Sequence, residues 1–178
     1  MEYKWYELIT EQVEITQGDI IFDCPVYKPL EVVVEKGTVI GEIEIIDAVV
    51  MSQACDIANG NIEDIILCSL IDVIEADIGK GKLSDIKKGA QPKYHIISKS
   101  DVDEIPMGYK IVDFLNIYSL SKNTLQSIAD GKEKRIRLLP PYREHLSQAF
   151  ARYFMRVGLP YDIDLKDILE EKKLTKEA

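Results

Sequence analysis

The sequence predicts a mainly β protein of the α+β class: a small barrel or a strongly bent antiparallel sheet, with a C-terminal amphipathic helix. Strand-like segments follow one another across short turns with no alternating helices, which argues against a doubly wound sheet. One late segment instead carries apolar residues at helical spacing. The chain of 178 residues is long enough to bury a sizeable core, so we expect a single domain, 1–178.

The first segment, 3–9, fits either a short helix or a strand. The later predicted strands are rich in β-branched and other apolar residues, and most are bounded by Gly, Pro or Asn. They are residues 19–24, 31–35, 41–51, 64–73, 94–97 and 109–114, the last with a continuation at 117–120. Segments 48–51 and 64–73 are apolar on both faces, which is typical of central strands. Between them and the later strands, a short helix is predicted around 82–88.

The C-terminal helix, residues 141–158, is the clearest helix prediction. Pro141 supplies a first-turn proline, and Gly158 with Pro160 supplies a stop. One apolar face is expected to be buried, and its residues are Tyr142, Leu146, Ala149, Phe150, Tyr153 and Val157. A second stripe of the same helix contains His145, Arg152 and Arg156. It is either solvated or available to a phosphate or an acidic partner. Residues 162–178 form a highly charged tail.

The net charge of −9 disfavours nucleic-acid binding for the chain as a whole, because such binding depends on neutralising phosphates. Two stretches depart from this balance. Residues 79–100 contain six lysines and one acid, and residues 132–137 are also basic. They are interpreted as solvated loops or as a polyanion-binding surface. The candidate nucleic-acid-binding residues are Lys82, Lys87, Lys88, Lys93, Arg152 and Arg156.

Cysteine usage and hydropathy indicate the compartment. The three cysteines have no CxxC spacing, so neither a disulfide framework nor a zinc site is predicted, and Cys24 and Cys68 are expected to be buried. No apolar run approaches the roughly 20 residues that span a bilayer, and the N-terminus lacks the order of a signal peptide. We therefore expect a cytoplasmic protein without membrane contact, cofactor or metal.

A polar turn follows the predicted strand that ends at Met51. Ser52, Cys55 and Asp56 lie within five residues of one another, at the end of a buried strand, where functional residues are often found. One interpretation is a hydrogen-bonded turn. In the alternative, Cys55 is a nucleophile with His95 as its base. A metal site of Cys55, Asp56 and His95 is a third version, although the spacing is not that of a zinc motif. The candidate catalytic residues are Ser52, Cys55, Asp56 and His95.

Three stretches resemble the MazF/PemK family of CcdB-like toxins. The first, Gly18-Asp19-Ile20-Ile21, is similar to the GDI and strand that open the family's sequence. The second, Ala48-Val49-Val50-Met51-Ser52, is similar to the family's apolar strand ending in serine. The third, residues 112–121 with Leu125 and a closing helix, is similar to the family's late strand, loop and C-terminal helix. Together they cover roughly half of the chain. The resemblance implies an SH3-like barrel, and in that family an arginine works with a serine or threonine in RNA cleavage.

The sequence departs from the family where Ile46-Asp47 stand in the place of an Arg-Pro pair. Cleavage through the 2′-hydroxyl needs positive charge or donors at the phosphorane, so Asp47 opposes it. We therefore expect a divergent bacterial or phage protein of toxin–antitoxin or phage-defence type, which binds RNA or DNA with weak or no cleavage and has a protein partner encoded nearby. Two alternatives stay open: a non-catalytic protein- or ligand-binding module, and an enzyme that depends on Cys55 and His95.

Overall fold

The computed structural model describes residues 3–10, 12–33, 38–76 and 78–155. The strands are β1 (Tyr6–Ile9), β2 (Asp19–Val33), β3 (Thr38–Val50), β4 (Asp64–Asp72), β5 (Tyr94–Ile97), β6 (Lys110–Ser121) and β7 (Arg135–Leu138). The helices are α1 (Ala54–Ala58), α2 (Lys80–Lys87), α3 (Lys122–Asp130) and α4 (Tyr142–Phe154).

All seven strands belong to one antiparallel sheet with the order β1-β7-β2-β3-β4-β6-β5. Although β1 and β5 are its two edges, the Tyr6 hydroxyl on β1 donates a hydrogen bond of 2.7 Å to the carbonyl of Ser98, one residue beyond β5. A flat sheet could not make this contact, so the sheet is strongly bent. The predicted fold class, mainly β with a C-terminal helix, is confirmed.

Alternating side chains on the central strands divide the core into two clusters on opposite faces of the sheet. The inner core lies on the concave side and receives a residue from every strand, among them Val49 and Val112, together with Leu146 of α4. The outer core contains the strand neighbours of those residues, such as Val50, and is covered by α1 and α3 through Ile57 and Leu125. The helices α1, α3 and α4 are therefore each assigned to one face by the core that they join.

Most predicted elements are present. Residues 3–9 contain a strand, 82–88 overlap α2, and 48–50 with 64–72 are central strands whose apolar side chains alternate between the two cores. In α4, Leu146 is buried, whereas Tyr142, Phe150 and Tyr153 are half-buried against the inner core. Arg156, the predicted helix end at residue 158 and the charged tail 162–178 lie outside the described residues. No helix in the described part of the chain is long and apolar enough to cross a membrane.

The interpretation of residues 132–137 as a solvated or polyanion-binding loop was wrong for residues 135–137, because β7 begins at Arg135. Residues 132–134 precede the strand, outside any helix or strand. Arg135 is buried, and its Nε donates 3.1 Å to a carboxylate oxygen of Asp19, which is itself fully buried. Arg137 donates to the same carboxylate through Nε and Nη2. The two guanidinium groups are thus used inside the protein, where charges require partners.

Two further helices were not predicted from the residue pattern. α1 occupies part of the expected turn after Met51, and α3 follows β6 directly. The Ser121 side chain caps α3 by accepting a bond of 3.2 Å from the backbone N–H of Thr124, as Ser commonly does at this position. Both helices are short, so each offers only one or two buried positions and little periodicity.

Candidate anion-binding pocket

A cavity of about 560 Å³ opens on the concave side of the sheet between the end of α2, strand β5 and helix α4. This volume is in the range of small-molecule sites. Its lining side chains come mainly from these elements and from the start of β1. The lining residues are Trp5, Ile86, Lys87, Lys88, Gly89, Pro92, Tyr94, His95, Ile96, Ile97, Ser98, Tyr109, Tyr142, His145, Ala149 and Arg152.

Strand register and helix periodicity bring both histidines of the chain into this pocket. His95 of β5 pairs with Val112 of β6, and cross-strand partners point to the same face of a sheet, here the inner-core side. His145, Ala149 and Arg152 follow one another at i, i+4 and i+7 and so line one face of α4. The two imidazole rings meet edge to face, with their centroids 5.1 Å apart.

Aromatic rings form two walls of the pocket. Trp5 stacks on Tyr142, with ring centroids 3.6 Å apart and planes 6° from parallel. Tyr94 is approached by two ammonium groups, those of Lys82 at 5.4 Å and Lys93 at 5.2 Å from its ring centroid, within the range of cation–π attraction. The predicted lysine-rich segment is therefore packed beside an aromatic surface.

The charge of the lining is one-sided. Lys87, Lys88 and Arg152 contribute to it, and among the residues that the structure describes no Asp or Glu does. A second cavity, of about 290 Å³, is lined by three acidic and three basic residues and so has no excess of either sign; they are Asp23, Glu104, Glu133, Lys132, Lys134 and Arg135. In a chain of net charge −9, the larger pocket is a local basic site.

The environment of His95 disfavours its protonated form. Burial lowers the pKa of His95 from 6.5 to about 4, and the neighbouring His145 and Arg152 act in the same direction. At neutral pH His95 is therefore an uncharged imidazole, able to accept a hydrogen bond at one nitrogen and donate at the other. The Nε of Arg152 donates a hydrogen bond of 3.3 Å to the backbone carbonyl of Gln148.

The predicted pair of Cys55 and His95 is not brought together. Cys55 lies on α1, which joins the outer core through Ile57, whereas His95 faces the inner-core side of the sheet. Cys55 is exposed. The alternative metal site of Cys55, Asp56 and His95 is not assembled either, because α1 joins the outer core and His95 faces the inner-core side. Among the described residues, no group of three His, Cys, Asp or Glu side chains is suited to a metal ion.

The polar turn has a structural explanation. Ser52 is buried, and its hydroxyl oxygen accepts a hydrogen bond of 2.8 Å from the backbone N–H of Ile66, near the start of β4. Asp56 accepts a longer bond, of 3.4 Å, from the amide of Asn61. These contacts fix the chain as it leaves β3. They correspond to the hydrogen-bonded turn rather than to a catalytic arrangement.

Asp47, which stands where the family resemblance implies a cation, has a cation of its own. Lys110 Nζ lies 3.1 Å from Asp47 and 3.4 Å from Asp72, and Asp47 also accepts from the backbone N–H of Asp23. Because Lys110 is shared by the two carboxylates, the charge of Asp47 is partly neutralised within the fold. The local potential at this point is less negative than the sequence alone indicates.

Sequence reasoning placed His95 in a different hypothesis from the lysines and Arg152, and it missed Trp5 and Tyr142 as pocket residues. The aromatic N-terminal segment was the available clue to Trp5, but its partner is far along the chain.

No family model, curated protein or solved structure matches this chain at a significant level. The resemblance to the MazF/PemK family therefore stays a prediction from the residues.

Proposed function

We propose that this protein is a single-stranded nucleic-acid-binding domain, for RNA or DNA, and that the pocket between α2, β5 and α4 is its binding site. The observation that carries the proposal is the basic lining of Lys87, Lys88 and Arg152 without a carboxylate, in a protein of net charge −9. An acidic protein that binds a polyanion needs a site where cations outnumber acids within a Debye length, about 10 Å at 0.1 M salt.

The aromatic walls favour single strands over duplexes. Bases in a single strand are free to stack on protein rings, and such stacking is tolerant of sequence. Tyr94 and the Trp5–Tyr142 stack offer ring surfaces beside the cations. Lys82 and Lys93, which flank Tyr94, are placed to meet phosphates on either side of a stacked base. The four lysines named from the sequence thus belong to one surface.

The affinity is expected to be modest. The overall charge of −9 repels a strand at long range, and the pocket itself is the size of one or a few nucleotide units. Each phosphate neutralised in a single strand contributes a slope of about 0.7 to the dependence of log affinity on log salt. Contact with two or three phosphates therefore predicts a slope of about 1.5 to 2.

RNA cleavage through Ser52 is not part of the proposal. Ser52 is buried, its oxygen is already bonded to β4, and it does not line the basic pocket. We expect weak or no cleavage by that route, in agreement with the departure from the toxin family at Asp47. A role in a toxin–antitoxin or phage-defence system is proposed from the resemblance alone.

The test is binding of a fluorescein-labelled single-stranded RNA of about eight nucleotides, followed by anisotropy across a salt series, with DNA of the same sequence in parallel. The Lys87→Glu/Lys88→Glu double variant is expected to abolish binding. Lys132→Glu/Lys134→Glu makes the same change of charge at the second, balanced cavity and should leave the affinity nearly unchanged.

Trp5, the single tryptophan of the chain, gives an independent readout because it lines the pocket. Its fluorescence should change on binding in the wild type and not respond to RNA in the double variant at Lys87 and Lys88. Equal loss of affinity in both double variants would point to non-specific charge attraction and contradict the assigned site. Binding that is insensitive to salt would contradict the proposal as a whole.

A further inference from the structure

The pocket contains a pair of imidazoles that strand binding alone does not require. His95 and His145 are in edge-to-face contact, with centroids 5.1 Å apart, and Arg152 lines the same cavity. The rings come from different elements, β5 and α4, and both project from walls of the pocket. Together they form a cluster of nitrogen donors at one place in the cavity.

The surroundings of His95 in the pocket disfavour its charged form. The pKa of His95 is lowered to about 4 by burial, by His145 and by Arg152, and Lys87 and Lys88 face the same cavity from the end of α2. Carboxylates near the walls are engaged elsewhere: Asp101 accepts from the backbone of Trp5, and Glu144 binds Arg143. An anion in the pocket would remove the repulsion and allow the imidazoles to take up protons.

We propose that the pocket recognises a phosphate monoester carried by a nucleotide, and that His95 and His145 bind it together with Arg152 while taking up protons. The inference rests on the proposed function and specifies its ligand. A monoester carries up to two negative charges near neutral pH, with a second pKa of about 6, and has three terminal oxygens. An internal phosphodiester has one charge and two free oxygens, so it satisfies fewer of these donors.

The same chemistry has two sources, a free nucleoside monophosphate and the phosphorylated end of a strand. Both place a planar base next to the terminal phosphate, within reach of Tyr94 or the Trp5–Tyr142 stack. An unphosphorylated strand end would lack the charge that the histidine pair is suited to bind.

The pH dependence of the affinity follows from the direction in which the pKa of a histidine changes on binding. A histidine whose pKa is higher in the complex than in the free protein binds a proton on association, so affinity falls as the pH rises through the pKa in the complex. The preference for a terminal phosphate should therefore be largest near pH 6, where the monoester is still partly dianionic, and should be small near pH 8.

The experiment compares three ligands by titration calorimetry near pH 6 and pH 8: a 5′-phosphorylated RNA of about eight nucleotides, the same RNA with a 5′-hydroxyl, and a nucleoside 5′-monophosphate. Near pH 6 the phosphorylated strand should bind about tenfold more tightly than the hydroxyl strand, as expected for one or two added charge-assisted hydrogen bonds. Repeating the titration in two buffers of different ionisation enthalpy should show net proton uptake.

His145→Gln and His95→Gln should each remove most of the tenfold preference for the phosphorylated strand over the hydroxyl strand. Because His145 is exposed, its replacement is not expected to disturb folding, and circular dichroism checks both variants. Gln148→Ala, at an exposed position of the same helix outside the cavity lining, is the matched control and should keep the preference.

Each outcome has a distinct meaning. If the mononucleotide binds as tightly as the phosphorylated strand, the inference holds with a free nucleotide as the sufficient ligand, and tighter binding of the strand identifies its end. Equal affinity for the two strands near pH 6, with normal salt dependence, overturns the inference and leaves the proposed function standing. Failure of every ligand to bind overturns both.

Discussion

His95 and His145 lie ring edge to ring face, 5.1 Å between centroids, and this contact joins strand β5 to helix α4. The pKa of His95 falls from 6.5 to about 4 in the folded protein. As the pH drops below about 7, the unfolded chain therefore binds a proton that the folded chain does not. Stability contributed by neutral His95 is complete above pH 6.5 and is lost between pH 6.5 and 4.

We accordingly predict that the free energy of unfolding decreases by about 2 kcal/mol between pH 7.5 and pH 5 because of His95. Urea denaturation in phosphate-free buffer at the two pH values measures it. His95→Gln, which does not titrate, should show a correspondingly smaller decrease. A His95→Gln variant with the same pH dependence as the wild type would show that His95 is not the titrating group.

The buried carboxylate of Asp19 is predicted to be the most sensitive charged position in the fold. It is fully buried and binds both Arg135 and Arg137, as well as the backbone N–H of Thr16 at 3.1 Å. Asp19→Asn keeps the shape of the side chain but leaves Arg135 without its counter-charge and Arg137 with Glu7 alone, at 3.6 Å, which should cost about 3–5 kcal/mol. The measurement is equilibrium unfolding in urea.

Asp23→Asn is the control for this prediction. Asp23 is exposed, its ion pair with Lys132 spans 3.8 Å, and its backbone φ of +46° is one that asparagine tolerates. The free energy of unfolding should change by less than about 0.5 kcal/mol. If both variants lose equal stability, the effect at Asp19 does not come from burial of its ion pairs.

Cysteine labelling should separate the three thiols by their location. Cys55 is exposed, whereas Cys24 and Cys68 are buried. Burial raises the pKa of Cys24 to about 11 and that of Cys68 to about 12, so their reactive thiolate forms are scarce at pH 8. Iodoacetamide is expected to modify Cys55 alone in the native protein, and all three in denaturant.

Peptide mass spectrometry after a timed reaction provides the measurement. Cys55→Ser should reduce native labelling to nearly zero without changing the total in denaturant beyond the loss of one site. Modification of Cys24 or Cys68 at the rate of Cys55 would show that the outer or inner core opens readily, contrary to the packing described above.

The sequence alone determined the elements whose residues repeat with a regular period. Successive side chains of segment 41–51 point to opposite faces of the sheet, and this alternation places Ala48 and Val49 in opposite cores. The apolar face of α4 follows from the helical spacing of its apolar residues. Burial of Cys24 and Cys68 was predicted on the same basis. These features depend on neighbours within one strand or helix, and local periodicity reports which side of an element is apolar.

Only the tertiary structure decided which side chains meet. The Trp5–Tyr142 stack, the His95–His145 contact and the union of the lysine segment with Arg152 all join elements that are distant in the chain. Periodicity says nothing about such pairs, because they are set by strand order and by the bend that closes the sheet toward α4. For the same reason Arg135 and Arg137 seemed solvated: their partner, Asp19, lies on another strand, and a charge is buried only where a distant opposite charge is brought to it.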